Sequence, residues 1–589
     1  MTLSELSHHF DRIWLVDFEF HQPDGERPTP LCLVAKEFFT GHTIRLWKPD
    51  SQPPPPYDIG PRDLFVSYYS TAELSCHLAL DWQMPSHVLD LYVEFRRMLG
   101  GIKPPHGHGL LGALAYFGLP GVETVVKDDM RALAVRGGLY TPEEQAALLQ
   151  YCEWDVVALE RLLPTLLPRL DLPRALIRGE YLKSLARVER RGVPVDVERY
   201  RLLTEHWDEA KVSLIEVIDR DYGVYDGSTF KHDRFKALLR RQGIAWPLLE
   251  SGEPSLDADT FRDMAKAHPF LNPLKELRAT LSQLRLNDLK IGSDGRNRCL
   301  LSPFASRTGR NQPSTTAFIF GPAVWIRHLI KPPAGRALAY VDWSQQEFGI
   351  AASLGEDTAM MEAYRSGDPY LAFAIQAGAA PANATSESHK HIREQFKVCA
   401  LAVQYGMGET LLGQRLGLSP AYGRELIAKH RATYSRYWLW SDAVQDNAMF
   451  HGFLESSYGW RVRVGPKPNP RSLRNFPVQA NGAEMLRLAM ILANQRGVQI
   501  CAPVHDALLI EADIADIEAA VLTCQGAMAE ASTLVLPGFR LRTDAKIVRA
   551  PDRYSDERGT RVWDILWSLP VLQDALRDAN LEPSQLFRE

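Results

Sequence analysis

Tyr340-Val341-Asp342-Trp343-Ser344-Gln345-Gln346-Glu347 is the stretch on which the reading of this chain turns. Upstream, Arg336-Ala337-Leu338-Ala339-Tyr340-Val341 is apolar and bounded by Pro332-Pro333 and Gly335, the pattern of a buried strand. That strand delivers Asp342 at its end, and Phe348-Gly349-Ile350-Ala351-Ala352 then predicts a helix. A carboxylate at the mouth of a sheet is well placed to hold a metal ion, because the buried strand keeps it rigid. Taken alone, Asp342 reads more simply as a cap on the following helix. The rest of the chain decides between the two.

Downstream, Arg393, Lys397, Leu401 and Tyr405-Gly406 recur every four residues, so they drift by only ~40° per step and form one stripe on a helix. Two cations, then an apolar side chain, then an aromatic ring is the layout a nucleotide needs: charge for the triphosphate and a surface for the base. A basic amphipathic surface helix explains Arg393 and Lys397 but not Tyr405-Gly406. Further on, Arg471-Ser472-Leu473-Arg474-Asn475-Phe476-Pro477-Val478-Gln479 carries guanidinium and amide donors. Val498 to Ile510 reads as strand, tight turn, strand, with His505-Asp506 at the turn and facing Asp342.

In the N-terminal part, Ile13-Trp14-Leu15-Val16-Asp17-Phe18-Glu19-Phe20 reads as a buried strand. Asp17 and Glu19 then point to one face, and two such charges are unfavourable together unless a cation lies between them. Tyr151-Cys152-Glu153-Trp154-Asp155 predicts an amphipathic helix with Tyr151 and Asp155 on one face. His106-Gly107-His108-Gly109 reads as a tight loop rather than a metal site, and Pro53 to Pro56 as a stiff loop.

The chain has 589 residues, enough for about three or four domains, with 45% hydrophobic and 24% charged residues. No apolar run approaches the ~18 residues of a membrane span. Met1-Thr2-Leu3-Ser4-Glu5 carries no secretory signal pattern. The seven cysteines form no CxxC pair, which points to a reducing compartment and away from structural zinc. A net charge of -5 does not announce nucleic acid. Between Lys275 and Arg310, however, eight Lys or Arg stand against Glu276, Asp288 and Asp294, leading into Arg307-Thr308-Gly309-Arg310. Such a local basic run supplies sequence-independent, salt-sensitive affinity for a nucleic-acid backbone.

Asp-aromatic-Ser-Gln-x-Glu at 342–347, the finger-helix stripe, the Arg471/Asn475/Gln479 segment and His505-Asp506, in that order, resemble family A DNA polymerases, the group of bacterial DNA polymerase I. DxE at Asp17/Glu19 with YxxxD at Tyr151/Asp155 resembles the DEDD-type 3'-5' exonuclease domain that precedes the polymerase in that family. The resemblance implies a multidomain α/β and α+β fold. An RNase H-like exonuclease domain (1–170) comes first, then a connecting helix and thumb (171–300) and the first part of a palm (301–355). Fingers (356–465), the second part of the palm (466–548) and a C-terminal extension (549–589) complete the right hand. It implies Asp342 and Asp506 as ligands for two Mg2+ ions (Mn2+ can substitute), and Asp17, Glu19, Glu73 and Asp155 as metal ligands, with Tyr151 beside them. Arg393, Lys397, Leu401, Tyr405, Glu347 and Gln345 would meet the incoming dNTP. Arg310, Arg327, Arg471, Asn475, Gln479 and His505 would meet primer-template DNA. Glu347 and Tyr405 would gate against a 2'-hydroxyl. The family's chemistry is template-directed DNA synthesis with proofreading, and the start of the chain at the exonuclease suits a phage or prophage enzyme. A chain acting mainly as an exonuclease, or a replisome scaffold, is the alternative.

The sequence departs from the family pattern in three places. Leu401 stands where Phe or Tyr is usual, and Ala507 follows His505-Asp506 where Glu is common. Tyr69-Ser70-Thr71-Ala72-Glu73 replaces an Asn followed four residues later by Asp, with Asp90 as the other candidate.

Overall fold

The computed structural model describes residues 1–49, 55–121, 124–283, 286–321 and 323–581. Pro53 and Pro54 of the proline loop lie outside the described residues. Two sheets organise the chain. The first is built from β1 (Arg12–His21), β2 (Thr29–Glu37), β3 (Thr43–Trp47), β4 (Asp63–Ser67) and β5 (His87–Asp90). Its order is β3-β2-β1-β4-β5, with β1 antiparallel to β2 and parallel to β4. Helix α1 (Thr71–Ala79) follows β4, α2 (Leu91–Leu99) follows β5, and α3 (Pro142–Leu166) crosses the sheet. Thr141 caps α3 in a reciprocal pair with Glu144, and Pro142 occupies its first turn, which fixes where it starts.

Both faces of β1 are covered, so its apolar run is continuous rather than alternating. Ile13 and Leu15 pack with Leu148, Cys152 and Leu159 of α3. Trp14, Val16 and Phe18 join a larger core that also holds Tyr181, Leu182 and Leu185 of α4 (Leu172–Arg191). Helix α4 lies against α1 and β5 on one side and against the second sheet on the other, so the two halves share one core. At Gly179 a Cβ would meet the Val88 carbonyl at 2.0 Å; only glycine lets α4 approach β5 so closely. The segment His106–Gly109 is the expected loop, with the Tyr68 hydroxyl donating to the His108 carbonyl.

The second sheet has β6 (Arg336–Trp343), β7 (Gln499–Val504), β8 (Ala507–Asp513) and β9 (Thr543–Arg549) in the order β7-β8-β6-β9, antiparallel throughout. Helix α5 (Gln346–Leu354) leaves β6, and α6 (Lys390–Gln404), the long α7 (Pro470–Gln495) and α8 (Ile517–Val535) pack around it. The C-terminal helices α9 (Glu557–Ser568) and α10 (Pro570–Asp578) dock on the Val324–Leu329 turn and on the helices spanning 197–219. There Trp563 stacks on His328 with centroids 5.4 Å apart. Among the described residues no helix is long and apolar enough to cross a membrane.

Candidate active sites

The buried strand β6 carries Asp342 next to its last residue, Trp343, close to where its sequence predicts, and the β7–β8 turn brings His505 and Asp506 beside it. His505 takes a left-handed φ of 55°, and the Trp343 N–H donates to the Asp506 carbonyl at 3.2 Å. Register places Asp342 directly opposite Ala507 on β8 and Asp544 on β9. Burial, then the Asp506 and Asp544 charges, push the Asp342 carboxyl up to about 6. Burial also raises Asp506 and lowers His505. Gln345, at φ 47°, turns the chain into α5 and receives an Arg542 N–H at 3.1 Å. Glu347 in the first turn of α5 accepts the Tyr405 hydroxyl at 2.7 Å and pairs with Arg310 at 3.4 Å. Burial and then Glu347 raise the Tyr405 hydroxyl.

Helix α6 buries Phe396, Cys399, Ala400 and Val403 and leaves Arg393, Lys397, Leu401 and Tyr405 on its open side, with Leu401 half-buried. Arg393 is held by Asp368 and, at 2.7 Å, by Glu394, whose other oxygen lies 3.4 Å from Lys397. Asp368 went unseen in the sequence because pairing across elements depends on packing, whereas Glu394, three residues before Lys397 on the same helix, is legible from spacing. Gly406 sits at φ 69°, and a Cβ there would meet Arg471 Cγ at 2.8 Å, which accounts for Tyr-Gly at this offset. Arg471, Asn475 and Gln479 line one stripe of α7, and Asn475 and Gln479 border a small pocket with Glu347 and Gln404. A cleft of about 370 Å3 runs alongside, lined by Arg310, Arg327, Arg487 and His505 among others. Arg327 is fixed there by Asp556 at 2.9 Å and the Phe320 carbonyl at 3.0 Å. Asp556 caps α9, so the C-terminal extension, which carried no functional reading in the sequence, props a side chain of this cleft.

In the N-terminal sheet, Asp17 and Glu19 of β1 meet Asp155 of α3 with one carboxylate oxygen from each within 4.8 Å of the others. The Cys152 thiol donates to the Asp17 carbonyl at 3.1 Å and ties helix to strand. Glu73 of α1 lies against the same group: it accepts the Phe18 N–H at 3.0 Å, and burial, then Asp17 and Glu19, raise its carboxyl strongly. Burial and then Asp155, Glu19 and Asp17 raise the Tyr151 hydroxyl. Asp90, the other candidate, is committed elsewhere. It caps α2 and accepts the N–H groups of Tyr69, Ser70, Tyr92 and Val93 at 2.8–3.3 Å. Carboxylates gathered this closely repel without a cation, and an all-oxygen donor set suits Mg2+. The residues present fit the ion.

The profile described as DNA polymerase family A matches residues 250–549. The thermostable DNA polymerase I of Thermus caldophilus is 26% identical over 476 residues, covering 71% of this chain and 56% of that protein. The DNA polymerase of Mycobacterium phage D29 is 23% identical over 389 residues, covering 63% and 62%. The chain thus spans about half the length of the curated relatives it matches. Among solved structures, the POL domain of Pol1 from M. smegmatis, complexed with DNA primer-template and dNTP, superposes with a TM-score of 0.67 at 19% identity. That likeness covers 93% of this chain and 97% of that one, and shows the fold. The matched stretch contains Asp342, Asp506 and everything arranged around them: this chain belongs to DNA polymerase family A.

Proposed function

We propose that the chain is a template-directed DNA polymerase, extending a primer from dNTPs, with a 3'-5' exonuclease in its N-terminal part. The observation that carries the reading is the convergence of Asp342 and Asp506 at one end of the second sheet, opposite the Glu347–Tyr405 pair and the cationic face of α6. Divalent ions held by Asp342 and Asp506 would lower the pKa of the primer 3'-hydroxyl and offset charge developing on the phosphate, the two-ion chemistry general to polymerases. Arg393 and Lys397 bind the triphosphate, with Leu401 and Tyr405 toward sugar and base. Glu347, hydrogen-bonded to Tyr405, occupies the space a 2'-hydroxyl would need. Gln345 keeps the turn into α5. Arg471, Asn475 and Gln479 check the template and the minor groove, whose acceptors recur on every correct pair. Arg310, Arg327 and His505 line the path of the primer strand.

The exonuclease reading is supported by the Asp17–Glu19–Asp155 cluster and by the order β3-β2-β1-β4-β5, which is that of an RNase H-like sheet. Glu73 would complete the set of residues holding Mg2+ there, and Tyr151 would help place the attacking water; Asp342 and Asp506 would hold the same kind of ion at the second site. The tight N-terminal cluster speaks against a scaffold, and the intact surroundings of Asp342 and Asp506 against a chain confined to degradation. Primer extension with and without dNTPs tests the reading. Extension with dNTPs and shortening without them is expected; a chain that does neither in Mg2+ or Mn2+ overturns it.

A further inference from the structure

On the second sheet, Ala507, Asp342 and Asp544 form one row across β8, β6 and β9. Residues directly opposite in antiparallel strands point to the same face, so Asp544 projects on the side of Asp342. Like charges so placed oppose strand pairing unless something positive joins them. The flank at position 507 cannot take a charge cheaply, because Ala507 is completely buried and a carboxylate there would be desolvated. The flank at 544 can: β9 is the edge strand and Asp544 is exposed. Its orientation is also set, since the Ser344 hydroxyl donates to Asp544 Oδ2 and the Ser344 carbonyl is anchored by the Tyr364 hydroxyl at 3.0 Å.

Resting on the polymerase reading above, we propose that Asp544 is a positioning residue of the palm site. From the edge strand it supplies the third carboxylate that the turn lacks at Ala507. Asp342 and Asp506 would hold the divalent ion, and Asp544, oriented by its link to Ser344, would add negative charge beside it without being a direct ligand. No bond is made or broken at Asp544 itself.

The test is a Mn2+ titration of the intact chain, followed by the electron paramagnetic resonance signal of the free ion. Asp17→Ala and Asp155→Ala in the background silence the N-terminal carboxylates. Asp342→Asn should remove binding at the palm. Asp544→Asn keeps the shape and an oxygen that can accept the Ser344 hydroxyl, so only the charge goes; it should weaken Mn2+ about tenfold to a hundredfold, and Asp544→Glu about threefold or less. The Mn2+ concentration for half-maximal primer extension should move by the same factor while kcat at saturating metal holds. If Asp342→Asn loses Mn2+ and Asp544→Asn does not, this inference falls alone. If Asp342→Asn binds like the parent, the palm reading falls with it. Equal losses in Asp544→Glu and Asp544→Asn, or a fall in kcat without a shift in metal dependence, would overturn the role assigned to the charge.

Discussion

The two carboxylate sites of this chain are built in opposite ways. In the N-terminal sheet, Asp17, Glu19 and Asp155 converge to within 4.8 Å from one strand and one crossing helix, with Glu73 buried behind them. The second site lies across strand ends, with Asp342 near the end of β6, Asp506 in the β7–β8 turn, and Asp544 opposite Asp342 on the edge strand and open to solvent. Around it, cations already have partners: Arg310 on Glu347, Arg393 on Asp368 and Glu394, Arg327 on Asp556. The first site is a compact trap for an ion, with Asp17 and Glu19 partly exposed. On the polymerase reading proposed above, the second is a platform that would accept ion, nucleotide and primer together, so its charges would have to be held until those arrive.

The largest expected effects separate the sites. Asp342→Asn or Asp506→Asn should lower primer extension by at least about a thousandfold, as loss of a group central to the chemistry does, and leave Mg2+-dependent shortening of single strands intact. Asp17→Ala or Asp155→Ala should do the reverse. Near-parent extension by Asp342→Asn would dissolve the contrast between the sites. Within the trap, Glu73→Ala should cut exonuclease turnover by more than the ~10- to 100-fold of an outer-sphere change. Asp90→Ala should act on folding instead, costing roughly 1–2 kcal/mol or more as a helix cap and loop tie is lost. Denaturant unfolding and single-strand degradation on the two variants decide it: if Asp90→Ala unfolds like the parent yet degrades far more slowly, the assignments exchange.

The trap was legible in the sequence because it is local: DxE fixes two carboxylates on one face of β1, and YxxxD fixes two groups on one face of α3. Only Glu73 needed help, since neighbouring α1 and β5 offered two acids and only packing shows that Asp90 is spent on backbone N–H groups. At the second site, the strand-end places of Asp342 and Asp506 and the four-residue stripe of α6 were legible in the sequence. Asp544 was not, because its place depends on the register of an edge strand whose residues Thr543-Asp544-Ala545-Lys546 do not alternate in polarity. The ion pairs of Arg327 and Arg393 were equally hidden: Asp556 and Asp368 come from elements distant in the chain.

A middle-sized effect concerns pH. Asp342 is raised to about 6 from an ordinary value of 3.8, so between those limits the folded chain binds more protons here than the unfolded chain. Its contribution to stability is therefore full below about pH 4 and lost as pH rises through about 6 in the absence of metal. Metal needs the ionised carboxylate, so Mg2+ should recover that loss only above about pH 6. With the N-terminal site silenced by Asp17→Ala and Asp155→Ala, Tm should rise on adding Mg2+ at pH 7.5 and stay unchanged at pH 5. An equal rise at both would mean that Asp342 does not gate the ion.

The smallest effect tests whether the cations of the platform are held or merely blocked. Glu394 pairs with both Arg393 and Lys397, and Asp368 takes the other edge of the Arg393 guanidinium. On the proposed reading, an incoming triphosphate would displace at least the Glu394 contacts. Arg393, Lys397 and Glu394 are partly exposed, their side chains 23%, 40% and 45% accessible, so solvent and salt screen these pairs. Each such pair is worth only about 0.2–1 kcal/mol. If Glu394 chiefly competes with the nucleotide, Glu394→Gln should lower KM for dNTPs about two- to fivefold, the equivalent of roughly 0.4–1 kcal/mol, with kcat unchanged. The gain should shrink as ionic strength rises, because screening weakens the competing pair as well. If Glu394 chiefly orders the two side chains, KM should rise instead, since freed cations spend rotamer entropy on binding. Single-nucleotide incorporation kinetics at low and high salt separate the outcomes, and a rise in KM would make the platform as preorganised as the N-terminal trap.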